Sequence, residues 1–521
     1  MLGKHNKQTS FLDIESWLQS PLVDPNSIYG MMAHWGDRLI KDEDFADLYS
    51  QTGRPSASPA LLSKVLLLMY HDNVSDREAE ERAKFDLRWK VALRLQMGES
   101  GFDHTALCRF RSRLLTNQKH KLVFERFANL AKDAGIIKDN SLQIIDSTHV
   151  LGAAAVKDTY SLIKGAIRKL LNVSCKQNSK AKKVLKDLSL LVDYKQKGKE
   201  NIDWNDSAAR QELLNKLVKD SRNIINALQE TELSTQEQAA RDLLTVVTEQ
   251  DIEEKEEGEV DLKQGVAKDR VVSVEDPEMR HGRKTSQGKF NGHKAQVLMD
   301  EKSEIVTGID VTPGNRPDGE FAGQVVKDAT IKPDRLMGDT AYGTLEARDS
   351  MDNQEVKVVA PLPMGRKKKD KFGKHDFIID FANKTCQCPA GVVTSKTREK
   401  DNKVKAYVFS KQTCNKCELR DQCTQHGKGK TITLHEQEQR RREMIKETGT
   451  VEFRQLYRQR AKIERKNAHL KSHGMRKSRY MGKAKTLIQL AFTAAVVNLK
   501  RIFTLAKGDV CLKMKLDEML A

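Results

Sequence analysis

Long apolar runs are scarce in this 521-residue chain, and the longest, Leu487–Leu499, is broken by Gln489 and Asn498. It falls short of the roughly 20 residues that cross a bilayer, so it reads as a buried helix closing a core. The opening Met1-Leu-Gly-Lys-His-Asn-Lys7 is not followed by the apolar segment of a secretory leader. A cytoplasmic, nucleoid-associated protein with no membrane partner is therefore expected. Tryptophan is sparse as well: the four (Trp17, Trp35, Trp89, Trp204) all precede residue 205. Of eight cysteines, Cys108, Cys175 and Cys511 stand alone and read as ordinary packing or surface residues. The other five gather between residues 386 and 423, and in a reducing compartment they are not expected to form disulfides.

Charge is abundant. Lys and Arg number 91 against 73 Asp and Glu, a formal +18 with a pI near 9.3, which suits a polyanionic partner. Basic residues cluster at Arg366–Lys369, at Arg440–Arg442 and from Arg458 through Lys485. Any one such cluster is also what a solvated face looks like, so position must decide between them. Clusters flanking a helix with a chemical pattern are the better phosphate contacts, and binding through them should weaken steeply with salt.

That pattern is Tyr457-x2-Arg460-x3-Glu464-x6-Lys471. Offsets of three, seven and fourteen return to one face of an α-helix, where each residue advances about 100°. One acid is thereby aligned with two cations and a phenol, while Leu456, Ile463 and Leu470 would seat the helix on a core. Two further acids sit upstream in strand-like settings. Ser141-Leu-Gln-Ile-Ile-Asp146 is a short apolar run ending in a carboxylate, although periodicity alone also allows a helix. Arg335-Leu-Met-Gly-Asp339 is similar and leads into small, turn-prone residues. Asp310, Asp318 and Asp334 lie nearby; Asp334 follows Pro333 at a strand entry rather than its exit. Between the two acids, 293–300 and 304–311 read as paired strands and 321–331 as a helix. That order would let Asp146 and Asp339 end neighbouring parallel strands.

Taken together, the spaced helix and the two upstream acids resemble DDE (Asp-Asp-Glu) transposases of bacterial insertion sequences. The likeness is to the group with this Y-x2-R-x3-E-x6-K motif and an InsH-like N-terminal helical domain. Glu275-Asp-Pro277 with Gly292-His-Lys294 also resembles the stretch leading into the second strand of these enzymes. The resemblance implies an α/β fold: an RNase H-like mixed-sheet catalytic core, an all-helical DNA-binding domain and two inserts. The expected boundaries are 1–140 for the helical domain, 141–153 for the first strand, 154–269 for a helical insert, 270–343 for more of the core, 344–450 for a cysteine-bearing β-rich insert, and 451–521 for the closing helices.

Three carboxylates suit the chemistry. Two divalent cations roughly 3.5–4 Å apart can clamp the attacking and leaving oxygens of a phosphodiester, and hard cations prefer carboxylate oxygens. Asp146, Asp339 and Glu464 are thus expected to hold two Mg²⁺ (or Mn²⁺) ions. By resemblance, Tyr457, Arg460 and Lys471 position the transposon end. The implied activity is cleavage at transposon ends and transfer of the freed 3′-hydroxyl into target DNA. The partners would be the terminal inverted repeats, target duplex and a second copy in a homodimer. A binding-only regulator and a nuclease without strand transfer are the alternatives.

In the N-terminal region, helices are expected over 60–70 and 75–85. Another follows Gly101–Thr105, capped by Asp103 or Thr105 and carrying Arg109, Arg111 and Arg113. Arg109 and Arg111 are the candidate DNA contacts, in the manner of a recognition helix; a plain bundle with surface ion pairs fits the same pattern. The 154–269 segment runs from basic to strongly acidic near Glu249–Glu259, which reads as a solvated connection.

In the second insert, Cys386-x-Cys388 precedes Cys414-x2-Cys417-x5-Cys423, with His426 close by. Such spacings can build a tetrahedral Zn²⁺ site, for which Cys388, Cys414, Cys417 and Cys423 are the candidates. Related transposases place a base-receiving aromatic in this insert. It has no tryptophan, which leaves Phe372, Phe377, Tyr407 and Phe409 as stacking or core residues.

Overall fold

The computed structural model describes residues 1–4, 22–138, 141–177, 179–196, 198–255, 259–283, 288–364, 371–400, 403–424 and 429–520. The basic run at 366–369 and His426 lie outside them. The chain divides into two units, Met1–Pro333 with Lys462–Ala521, and Asp334–Ala461.

The first unit opens with helices. Pro59 occupies the first helical turn, where its missing N–H costs nothing, and the Ser58 hydroxyl accepts from Leu61 N at 3.0 Å. The resulting helix, Pro59–Asp72, is buried on almost every side. Asp76–Phe85 follows, capped by Ser75, and then a short helix, Leu87–Leu93, that sequence periodicity did not separate. Asp103 caps His104–Thr116 by accepting from Thr105 N at 2.8 Å.

The helix Lys483–Gly508 packs against Pro59–Asp72, Leu122–Asp133 and the strand Val306–Pro313. It is long and apolar enough to span a membrane, but 89% of its apolar window is buried inside the protein. Two of its buried amides are satisfied internally. Asn498 bonds both the N–H and the carbonyl of Val306, and Gln489 donates to the Gly474 and Lys477 carbonyls.

The sheet of this unit is built on Lys289–Asp300. Leu142–Leu151 pairs antiparallel with it, as do Val306–Pro313 and Arg280–Arg283. The first strand therefore does not end at Asp146. It continues through Ser-Thr-His-Val-Leu to Leu151, with Asp146 opposite Val297 in mid-ladder. Thr148 and Val150 are buried beyond the acid, and that inward alternation carries the strand on. The expected helix at 321–331 is shorter, a 3-10 turn Asp318–Phe321 followed by Ala322–Lys327.

Residues 154–269 do form helices: Thr159–Gln177, Lys180–Lys186, Ser207–Ala227 and Thr235–Asp251. They enclose a core of their own in which Leu162, Ile167, Leu214, Leu217, Leu244 and Val247 are buried. The acidic stretch read as a solvated connection instead supplies a strand. Ile252–Glu254 pairs with Val260–Leu262 because Ile252 and Val260 are drawn into that core.

In the second unit, Arg335–Met337 and Lys357–Val359 are parallel, joined through the helix Leu345–Asp352. Two small antiparallel sheets follow: Ile378–Asp380, Thr385–Gln387 and Val393–Thr394, then Thr397–Lys400, Lys403–Val408 and Thr431–Thr433. Phe377, Tyr407 and Phe409 are buried together there, so their rings serve the core.

Residues 451–475 are not one α-helix. Val451–Tyr457 passes through a 3-10 turn at Arg458–Arg460 into Ala461–Leu470 and then a π turn, Lys471–Met475, where Gly474 has φ +95°. The α-helical spacing expected from Tyr457 to Lys471 is thus interrupted by a 3-10 turn before Glu464 and a π turn after it. Tighter and wider turns change the angle per residue. Ile463 and Leu470 are fully buried, whereas Leu456 is only partly covered.

Candidate active site

Asp146 and the helix that bears Glu464 are held against one another within the first unit. Asn467, three residues after Glu464 on the buried face of that helix, donates from Nδ2 to Asp146 Oδ2 at 2.9 Å across 321 residues of sequence. Ile463, Lys466 and Asn467 face inward while Glu464 is exposed. The helix is clamped to the hairpin after Lys289–Asp300: Lys462 pairs with Glu301, and Arg465 with Glu304 at 2.7 Å. Burial pushes the Lys466 ammonium down to about 8.

Beyond the π turn the chain returns to the far end of the Asp146 strand. Leu151 N donates to the Arg476 carbonyl at 3.1 Å, and Ser478 N to the Leu151 carbonyl at 2.7 Å. The strand is thereby tied to the C-terminal segment at its acid and at its far end.

Asn467 was not singled out by sequence reasoning, since one asparagine on a charged helix resembles any polar surface residue. It is only 6% exposed, and its Oδ1 is buried without a hydrogen-bond partner among the described residues. A buried carbonyl oxygen left unmatched beside a carboxylate is a hard acceptor of the kind that suits Mg²⁺ or a water bound to it.

Asp339 belongs to the second unit, two residues past the end of Arg335–Met337. Its Oδ1 accepts from Ala341 N at 2.8 Å, and its carbonyl from Tyr342 N at 3.1 Å, forming a turn. Arg348 fixes that turn from below. Its buried guanidinium donates to the carbonyls of Gly343, Val358 and Ala360. A Cβ on Gly343 would lie 2.0 Å from the Pro361 carbonyl, so the residue after Tyr342 must stay small. Tyr457 and Arg460 also belong to this unit, where Tyr457 stacks on Phe453 at 5.4 Å between ring centroids. Lys471 belongs to the first unit, at the start of the π turn.

The proposed recognition arginines differ from one another. Arg111 is buried, forks onto Asp76 (Nη1 to Oδ1 3.0 Å) and lies over the Tyr480 ring at 4.8 Å. It is a structural residue, which corrects its reading as a DNA contact. The phase that places Arg111 inward puts Arg109 outward, exposed and bonded to Thr105 Oγ1 at 2.6 Å. The Arg440–Arg442 cluster is likewise partly internal: Arg440 pairs with Asp349 and Asp352, and Arg442 donates to the Phe377 and Lys374 carbonyls.

Among the described residues, the trio of candidate ligand atoms lying within 4.8 Å of one another is Glu80, Asp103 and His104. This trio is a helix cap. Glu80 already accepts from Lys84 and from both the backbone and the ring of His104, contacts that hold its carboxyl at about 2.

Two family models match the chain: the Transposase DDE domain over residues 384–503, which includes Glu464, and the Transposase domain (DUF772) over residues 20–113. Both support a transposase of the DDE type. No curated protein and no solved structure matches. A DDE transposase domain implies an enzyme of the polynucleotidyl-transferase kind, and transposase families imply DNA as the partner.

Proposed function

We propose that the chain is a DNA transposase in which Asp146, Asp339 and Glu464 are the catalytic carboxylates, within a core of RNase H-like type. The observation that carries this reading is the Asn467–Asp146 hydrogen bond, which seats the Glu464 helix on the Asp146 strand. Carboxylate oxygens and the unmatched Asn467 Oδ1 fit Mg²⁺ or Mn²⁺. When bound, a pair of such ions supplies an activated oxygen nucleophile and stabilises the departing oxygen of a phosphodiester.

The protein's own contribution is placement. Asn467 orients the Asp146 carboxylate through its Oδ2. The Lys462 and Arg465 ion pairs keep Glu464 at the surface, where a phosphodiester can reach it. Arg348 sets the loop from which Asp339 projects. Tyr457, Arg460 and Lys471 supply a phenol and two cations for the phosphates of a transposon end, and Arg109 offers an exposed cation on the N-terminal helix. The reaction proposed is cleavage at terminal inverted repeats followed by attack of the freed 3′-hydroxyl on target duplex, carried out by a pair of protomers that holds both ends.

Incubation of the chain with Mg²⁺ and duplexes bearing the sequence flanking its coding region tests this. Cleavage with joined product is expected. Cleavage without joining would make it a nuclease, and binding alone a regulator.

A further inference from the structure

The cysteine-bearing insert has a very small core. Among the described residues, Phe377, Cys386, Tyr407, Phe409 and Ile432 form its buried cluster. Two three-stranded sheets of two to six residues per strand rest on that cluster. Segments of about 40–70 residues with so little buried apolar surface generally need a further staple.

The five cysteines divide into two kinds. Cys386 is fully buried at the centre of Thr385–Gln387, opposite Ile379 on one side and Thr394 on the other. It is a core residue. Cys388, Cys414 and Cys423 are partly buried and pack on the rim of the same cluster. Cys417 is partly buried as well, and its N–H donates to the Cys414 carbonyl at 3.4 Å.

The backbone at these four positions is tied down. Cys388 opens a tight turn in which its N–H donates to the Val392 carbonyl and its carbonyl accepts from Gly391 N, both at 2.9 Å. Gly391 has φ +81°, a conformation that a side chain would strain. The Cys417 carbonyl accepts from Arg420 N at 3.1 Å, and the Cys423 carbonyl from Lys430 Nζ at 2.9 Å.

We propose that Cys388, Cys414, Cys417 and Cys423 form a structural Zn²⁺ site that staples the two sheets together, with Cys386 excluded from it. Four soft thiolates, two of them in a C-x2-C pair, match tetrahedral zinc chemistry. No three of these sulfurs lie within 4.8 Å of one another, so zinc would draw them inward from their present spacing. The site is independent of the DNA chemistry proposed above, because none of its residues takes part in that chemistry.

Elemental analysis of the full chain, purified under reductant without added metal, is the test. About one zinc per chain is expected. Cys414→Ser and Cys417→Ser should each lose it, while Cys386→Ala and His426→Ala keep it. Cobalt exchanged into the wild type should give the visible absorption of a tetrahedral tetrathiolate ion. If the serine variants fail to fold, mercurial titration of the wild type should release one zinc as four thiols react. Wild type without stoichiometric zinc, zinc retained in both serine variants, or zinc lost from a folded Cys386→Ala or His426→Ala variant would overturn the assignment.

Discussion

Asp146 and Asp339 are held in different ways. Asp146 lies within a ten-residue strand, in ladder register with Val297, and receives a side-chain bond from a helix far away in sequence. Asp339 lies in a turn beyond a three-residue strand, and the turn is braced by one buried guanidinium. A ladder spreads its positional constraint over many bonds, whereas a brace concentrates it in one side chain. The first acid should therefore tolerate the loss of any single supporting contact better than the second.

The largest effect should come from the acids themselves. Asp146→Asn, Asp339→Asn and Glu464→Gln are each expected to reduce cleavage to background while leaving duplex affinity unchanged in a mobility-shift assay; a fully active variant would remove that residue from the site. Next comes Arg348→Met. Three buried carbonyls would lose their donor, at a cost of about 3 kcal/mol or more, and denaturant titration should show it together with lost activity. Asn467→Leu should be milder, reducing turnover roughly 10–100-fold, as is usual for a partner that orients a ligand. If Asn467→Leu proves as damaging as Arg348→Met, the contrast between ladder and brace fails.

The smallest effect concerns a carboxylate with no proposed chemistry. Asp72 is enclosed by Tyr29, His71, Arg82 and Trp89, each within 2.9 Å. Burial alone would raise its pKa, but the His71, Tyr29 and Trp89 bonds outweigh that and hold it at about 2. Its contribution is therefore complete above the ordinary aspartate range near pH 4 and is lost as pH falls toward 2. Asp72→Asn should cost roughly 1–2 kcal/mol at neutral pH, flatten the acid limb of the stability profile and leave cleavage unchanged.

Much of this was legible in the residues. Ser58-Pro59 and Asp103 marked helix starts because capping chemistry is local, and the order of the three acids is a one-dimensional fact. The rest depended on partners remote in sequence. Asp146 looked like a strand end because its own neighbours turn polar, yet pairing with Lys289–Asp300 carries the strand onward. Arg111 looked available because Asp76, which occupies it, lies 35 residues earlier. The break at Arg458–Arg460 is marked by neither proline nor glycine, so periodicity ran straight through it. Asn467 had no signal at all until the helix was placed.

The return of residues 476–478 to the far end of the Asp146 strand makes the tail a fastener for that strand. A gene copy cut short by a frameshift just after Glu464 would still encode Asp146, Asp339 and Glu464, but its protein would lack the clasp and the long helix Lys483–Gly508 that backs the sheet. Counting intact acids would misjudge such a relic as active. It should be dead because the sheet and the N-terminal helices lose the buried helix they pack on, even though no catalytic residue is missing.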